Sequence, residues 1–459
     1  MSAVHRTSPP DLGRPPEVRL PPVTRRSMFE GLDLVTLPVP GPPLVVVEAV
    51  IDAGSVHDPP GTAGLADLTA HLLPEGAAGL GMLEIAQRLA ELGGHLSVGT
   101  GHDAAWIRIV VLASNLEPAV ELLADLLVRP SFPAEEVERL LAEREIDLVR
   151  ERDDPGIVAS RTFAEELYGV DHPYGQPTSG TLGSVRGLTR QTFQAFYRRR
   201  YVPAGGALLA VGPFEPDRVH SAVERAFTGW AGEIAPRADV RPPERPGRGV
   251  VLVDRPGSAQ SELRVGHLGV PRDHPDHVPL TALDHLLGGS FHSRLNLNLR
   301  ERRGWTYGVR SRFSFRRGPG PFIVATPVEG PATRAALEEI AGEIARTAAG
   351  PIQSEERELA VNGITRSLPR LFETPARIAE RVREIVVYDL PDDHFAGYQD
   401  RFRAVTVEDL ERTAAEHLHP ERLMAVVVGD GEAVADELAE VEGFETPLRH
   451  RAWKPPEPG

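Results

Sequence analysis

The chain has 459 residues, 41% of them hydrophobic and 25% charged, which is the composition of a soluble globular protein and more than one ordinary core accommodates. A net charge of -16 argues against nucleic acid or an anionic membrane as the main partner, and the lack of cysteine excludes a disulfide framework and thiolate metal ligands. No apolar run is long enough to span a bilayer and the first residues lack a signal-peptide core, which fits the cytoplasm.

In chain order, residues 1–26 are rich in Pro and Arg and are expected to form a flexible tail. A strand is expected over 44–53. The apolar-periodic run 64–73 follows and reads as a helix. On it, Asp67 and His71 are one turn apart and share a face, the spacing with which two side chains grip one metal ion. The inverted zinc motif H-x-x-E-H places His at both positions and a Glu base before the second. Here the first His is Asp67, the Glu is Ala70, and His71 alone remains. A strand over 104–112 and a long helix over 134–152 come next. A helix over 193–199 then leads into a turn and a buried strand ending at Gly212.

Residues 236–248 combine prolines, glycines and alternating charges and read as a linker between a domain at 27–235 and a second at 249–450. The second half is expected to hold strands over 249–254 and 322–327 and helices over 333–348, 354–368 and 407–417. The last helix again leads into a turn and a buried strand ending at Gly429, and residues 451–459 form a tail. This helix–turn–strand echo, and the likeness of the run around His71 to that around His285, occur at a similar offset and indicate a duplicated domain. Each half is read as α+β, a mostly antiparallel sheet with helices packed on one face.

Five segments together resemble the pitrilysin/insulinase family of zinc peptidases, in its small bacterial form related to mitochondrial processing peptidase. They are the degenerate zinc helix in 61–76, the HPYG turn at 172–175, an F-Y-x-x-x-Y-x-P element at 196–203, and the stretches 288–295 and 299–307. The resemblance implies two homologous domains forming half of a clam shell, two such halves enclosing a chamber for unstructured peptides. It also implies a third zinc ligand, a Glu, on a later helix. That register falls on Asp147, with Glu145 and Glu151 close by. The family's zinc-site residues therefore correspond here to Asp67, Ala70, His71 and Asp147.

Zinc hydrolysis needs three protein ligands and an open position for water. Asp67, His71 and Asp147 offer one nitrogen and two short carboxylates, a set that shifts preference towards harder ions. Loss of the base at Ala70 alone costs about two to four orders of magnitude in rate. The plain reading is that His71 is a half-buried helix histidine and Asp67 a solvated or helix-stabilising charge. No metal or other cofactor is expected on this chain. His57, His95 and His102 flank the motif without helical spacing. His172 is read as structural, and His274, His277, His285 and His292 are scattered, with His285 a relic of the repeat.

The second half keeps Arg300 and Tyr307. The resemblance implies that they bind the substrate backbone and help stabilise the tetrahedral oxyanion; an exposed helix-end Arg and a core Tyr are the plain alternative. Arg302 and Arg303 are read as solvated charges. The pattern resembles the non-catalytic subunit of heterodimeric members, whose partner holds zinc and Glu. The function expected is a substrate-binding subunit of a zinc metalloendopeptidase, acting on peptides with a zinc-bearing homologous partner and with neither nucleic acid nor membrane. A stand-alone peptide-binding or assembly protein, and a metallopeptidase with an Asp/His/Asp site, are the alternatives.

Overall fold

The computed structural model describes residues 13, 17–18, 20–233, 236–244, 246–444 and 448–453. Its first half contains strands β1 (Thr24–Ser27), β2 (Asp33–Pro38), β3 (Leu44–Ile51), a two-residue hairpin of β4 (Gly76–Ala77) and β5 (Leu80–Gly81), β6 (His95–Thr100), β7 (Ala105–Leu112) and β8 (Ala207–Gly212). Its second half contains β9 (Gly249–Asp254), β10 (Gln260–Leu268), β11 (Arg310–Phe313), β12 (Pro321–Glu329), β13 (Met424–Gly429) and β14 (Arg449–Ala452).

The duplication is visible in strand order. One sheet runs β1-β2-β8-β3-β7-β6 and the other, read from its opposite end, β14-β9-β13-β10-β12-β11. In each, the first core strand pairs in parallel with the last (β2 with β8, β9 with β13), and the remaining core pairs are antiparallel. β8 and β13 are buried at every residue, which is why both read as continuous apolar runs. The chain is thus α+β with two like domains.

The terminal strands differ from the expected tails. β1 pairs antiparallel with β2, and the Arg25 guanidinium bonds both Asp33 and Asp392, so ordered chain begins before residue 26. At the other end β14 runs parallel to β9, Arg451 pairs with Glu165, and Arg255 lies over the Trp453 ring. Backbone pairing and ion pairs order segments whose composition alone suggested none. The earliest residues of the expected N-terminal tail and residues 454–459 lie outside the described residues.

Each sheet carries helices of its own half on one face, and a helix of the other half packs against it as well. Helix Pro155–Tyr168 packs on β10 and β13, and helix Pro375–Val387 packs on β3 and β8. Polar locks follow the exchange. Glu48 on β3 is fully buried and accepts from Arg108 at 2.5 Å and from Arg383 of the exchanged helix at 3.0 Å. Both guanidiniums lie over the Trp106 ring. Burial pushes the Glu48 carboxyl up, against the pull of the two arginines.

The HPYG turn is a second lock. Tyr174 donates its hydroxyl to Asp103 at 2.7 Å and accepts the Gly318 N–H at 3.0 Å, tying the first half to the second. His172 accepts the Tyr174 N–H through Nδ1 and contacts the Arg241 carbonyl through Nε2, so it serves the turn and the linker. The linker is strapped down there, and Gly247 donates its N–H to the Leu167 carbonyl.

Candidate functional site

Helix Leu65–Leu72 begins at Gly64, which has φ of 95° and sits where a Cβ would lie 3.1 Å from Gly180 Cα and from the Ser179 carbonyl oxygen. Only glycine permits both that backbone and that approach. The first turn is capped from outside by Asp58, whose carboxylate accepts the Gly64 N–H at 3.0 Å and the Ala66 N–H at 2.8 Å. Burial drives the Asp58 carboxyl up to about 7, with these two bonds opposing and the nearby Asp67 charge adding to the rise.

Asp67 and His71 share the helix face as expected. The His71 Nδ1 lies 2.8 Å from the Asp67 main-chain oxygen, leaving Nε2 outward on a side chain that is 40% exposed. The Asp67 carboxylate is occupied. Arg144, from helix Ala134–Glu151, donates Nη2 to it at 2.6 Å and Nη1 to the Ser179 carbonyl at 3.0 Å. Ala70 is completely buried. Asp147 is 60% exposed on its side chain and faces Arg150 at 3.7 Å.

The zinc-site positions therefore do not form a ligand set. Among the described residues, the ligand atoms of Asp67, His71 and Asp147 do not gather within 4.8 Å of one another. The Arg144 guanidinium pairs with the carboxylate at the first motif position, Asp147 faces solvent, and His71 is the one imidazole left beside them. The residues present do not fit zinc. Sequence reasoning missed Arg144. It lies one helical turn before Asp147, and that spacing is the one signal of it in the sequence.

The second half offers a different surface. Residues 296–302 form a π-helical turn, and Tyr307 follows in an irregular segment, 93% exposed. A core tyrosine is thereby ruled out. The Arg300 guanidinium stacks 3.7 Å above the Phe291 ring. Its Nη1 is 2.9 Å from the Glu301 carboxylate but outside hydrogen-bonding geometry, so this buried donor makes no hydrogen bond. Arg303 is not simply solvated, since it pairs with Glu339 and lies over Trp305.

Tyr307 and Phe291 line a cleft of about 670 Å³. Asp284 also lines it. Burial raises the Asp284 carboxyl to about 6, although Ser311 donates its hydroxyl to it at 2.6 Å. Asp284 immediately precedes His285 and so takes, in the repeat, the place of Ala70. That correspondence was the signal available in the sequence. His285 itself packs its ring against the backbone of Gly363, and burial lowers its basicity.

Two family models match the chain, one described as Insulinase (Peptidase family M16) over residues 40–169 and one as Peptidase M16 inactive domain over residues 187–364. The chain belongs to the peptidase M16 family. An M16 relative from Mycobacterium bovis, called an uncharacterized zinc protease, is 29% identical over 77% of this chain and 78% of its own. A crystal structure titled peptidase M16 inactive domain, from Pseudomonas fluorescens, superposes with a TM-score of 0.84 at 26% identity, covering 89% of this chain and 98% of that one. A protease from Helicobacter pylori shares the M16 fold, with a TM-score of 0.83 at 20% identity over 89% of this chain and 100% of that one.

Proposed function

We propose that this M16 chain is a non-catalytic, substrate-binding subunit of a heterodimeric zinc metalloendopeptidase. The observation that carries the reading is the Arg144–Asp67 pair, because a motif helix whose first-position carboxylate is paired with a guanidinium and whose base position is a buried alanine offers neither a free ligand pair nor a base. The relatives named zinc proteases support peptide hydrolysis as the setting, and a homologous partner would hold the zinc. Among the described residues no helix is long and apolar enough to cross a membrane.

Within that complex the role of this chain is to bind and polarise. Tyr307 presents an exposed hydroxyl at the cleft, and Arg300 stacks on Phe291, which lines the same cleft. Both suit a peptide carbonyl whose oxygen gains charge as the bond is attacked. The Phe291 ring holds the guanidinium in plane without consuming its donors. The two residues close the chamber and act in trans.

Mixing the chain with a homologue that retains H-x-x-E-H is expected to raise peptide turnover above that of the homologue alone. Arg300→Ala or Tyr307→Phe is expected to remove about a hundredfold or more of that gain, the cost of one oxyanion donor. A mixture no faster than the homologue alone would sink the proposal. Stable homodimers that bind peptides without a zinc-bearing partner would favour the stand-alone peptide-binding reading.

A further inference from the structure

Apart from the motif helix, the fold brings three classical ligand side chains together at one place in the second half. His274 and Asp276 lie in the loop before helix His277–Asp284, and His417 is the last residue of helix Val407–His417. One ligand atom from each falls within 4.8 Å of the others, and among the described residues this is the one such cluster of three. The two helices pack together, so the loop and the helix end are held by core contacts rather than by the polar groups themselves. None of the three residues lines the cleft beside Tyr307.

We propose that His274, Asp276 and His417 bind a divalent transition-metal cation of the zinc or nickel class. Two imidazoles and one carboxylate are the donor set those ions prefer, whereas magnesium and calcium favour oxygen alone. The spacing is nearly formed: His417 Nε2 lies 2.8 Å from Asp276 Oδ2. Two ligands at ~2 Å from a zinc ion in tetrahedral array stand ~3.3 Å apart, so a small opening admits the ion. Ligation through His417 Nε2 breaks its bond to Asp276 and puts the imidazole proton on Nδ1. His274 accepts the Asp276 N–H through Nδ1 at 3.2 Å. Either ring nitrogen can ligate, and either choice costs that single long bond, because ligation through Nε2 puts the proton on Nδ1.

The surroundings supply an outer shell. Arg412 donates to both Asp276 oxygens, at 2.6 and 3.0 Å, and fixes the carboxylate plane. Its own charge is met by Glu416 at 2.8 Å, and Glu416 is 3.9 Å from His417 Nε2, near enough to swing in as a fourth ligand. With neutral imidazoles, Arg412, Asp276 and Glu416 together carry one net negative charge, so the cation enters a favourable field.

The bound ion would pin the 271–276 loop to the end of helix Val407–His417. Equilibrium dialysis of the full chain against zinc sulfate or nickel chloride, with metal counted by mass spectrometry, is expected to give one ion per chain. His274→Gln and His417→Gln, with folding checked by circular dichroism, are each expected to abolish it. Cobalt(II) bound to the unmodified chain is expected to show the visible absorption of a four- or five-coordinate site, a readout that does not depend on any variant folding. Substoichiometric metal, an octahedral aquo-like cobalt spectrum, or binding unchanged in both folded variants would overturn the proposal.

Discussion

Replacing Arg144 with alanine tests the central feature of the motif helix. The Arg144 and Asp67 side chains are 17% and 13% exposed and bond at 2.6 Å. At ~4 Å between charge centres and an effective dielectric of about 20, their attraction is about 4 kcal/mol, largely offset by the desolvation of both groups. Abandoning one partner of a fully buried pair costs about 3–5 kcal/mol, and exposed pairs contribute about 0–1 kcal/mol. A pair this enclosed but not sealed should therefore cost about 2–3 kcal/mol when broken from the arginine side. Most of that is the stranded Asp67 carboxylate, which lies near the already disfavoured charge of Asp58. The double variant Arg144→Ala/Asp67→Ala should accordingly recover about 1–2 kcal/mol of the loss. Urea unfolding followed by circular dichroism measures all three, with Arg150→Ala as control, since that guanidinium is 76% exposed. If Arg144→Ala costs no more than Arg150→Ala, or the double variant is no more stable than the single one, the pair does not hold the motif helix as argued.

Three further outcomes follow from the same geometry. The Asp58 carboxyl rises from 3.8 to about 7 in the folded chain, so its contribution to stability is full below pH 3.8 and is lost as pH rises through 7. Asp58→Asn should flatten the fall of urea midpoint across that window, and an unchanged slope would contradict the assignment. Rebuilding the motif with D67H, A70E and D147E should leave zinc binding weak while Arg144 remains, and adding R144A should restore it, read by dialysis and metal analysis; tight zinc in the first variant would show that Arg144 is no obstacle. Phe291→Ala should lower the kcat/KM of the reconstituted peptidase about two- to fivefold, the equivalent of about 0.5–1 kcal/mol for an exposed cation–π contact. No change would remove the ring from the account of how Arg300 is oriented.

Much of the fold was legible because its signals are local. The apolar period around His71 gave a helix that the structure places at Leu65–Leu72, and the run to Gly429 gave β13. β10 was harder to see, since its exposed-side residues Gln260, Glu262 and Arg264 break the apolar run and their partners come from β12 and β13, far away in the chain. Asp284 was overlooked for a related reason. A lone Asp beside a His carries no marker of burial, and only packing raised its carboxyl.

By itself the sequence determined what had been removed: helical spacing is a property of a few consecutive residues, so Asp67, Ala70 and His71 sufficed to show a motif without its base. Tertiary structure decided what took the vacant place and what stood free. Arg144 reaches Asp67 across 77 positions, and the rotation of helix Ala134–Glu151 that aims it depends on packing rather than on local pattern. Tyr307 is open to solvent only because the segment after the π-helical turn leaves the core. His274 meets His417 only because two helices of the second half pack side by side. Contacts between distant positions are set by how helices and sheets dock, and no short-range periodicity records them.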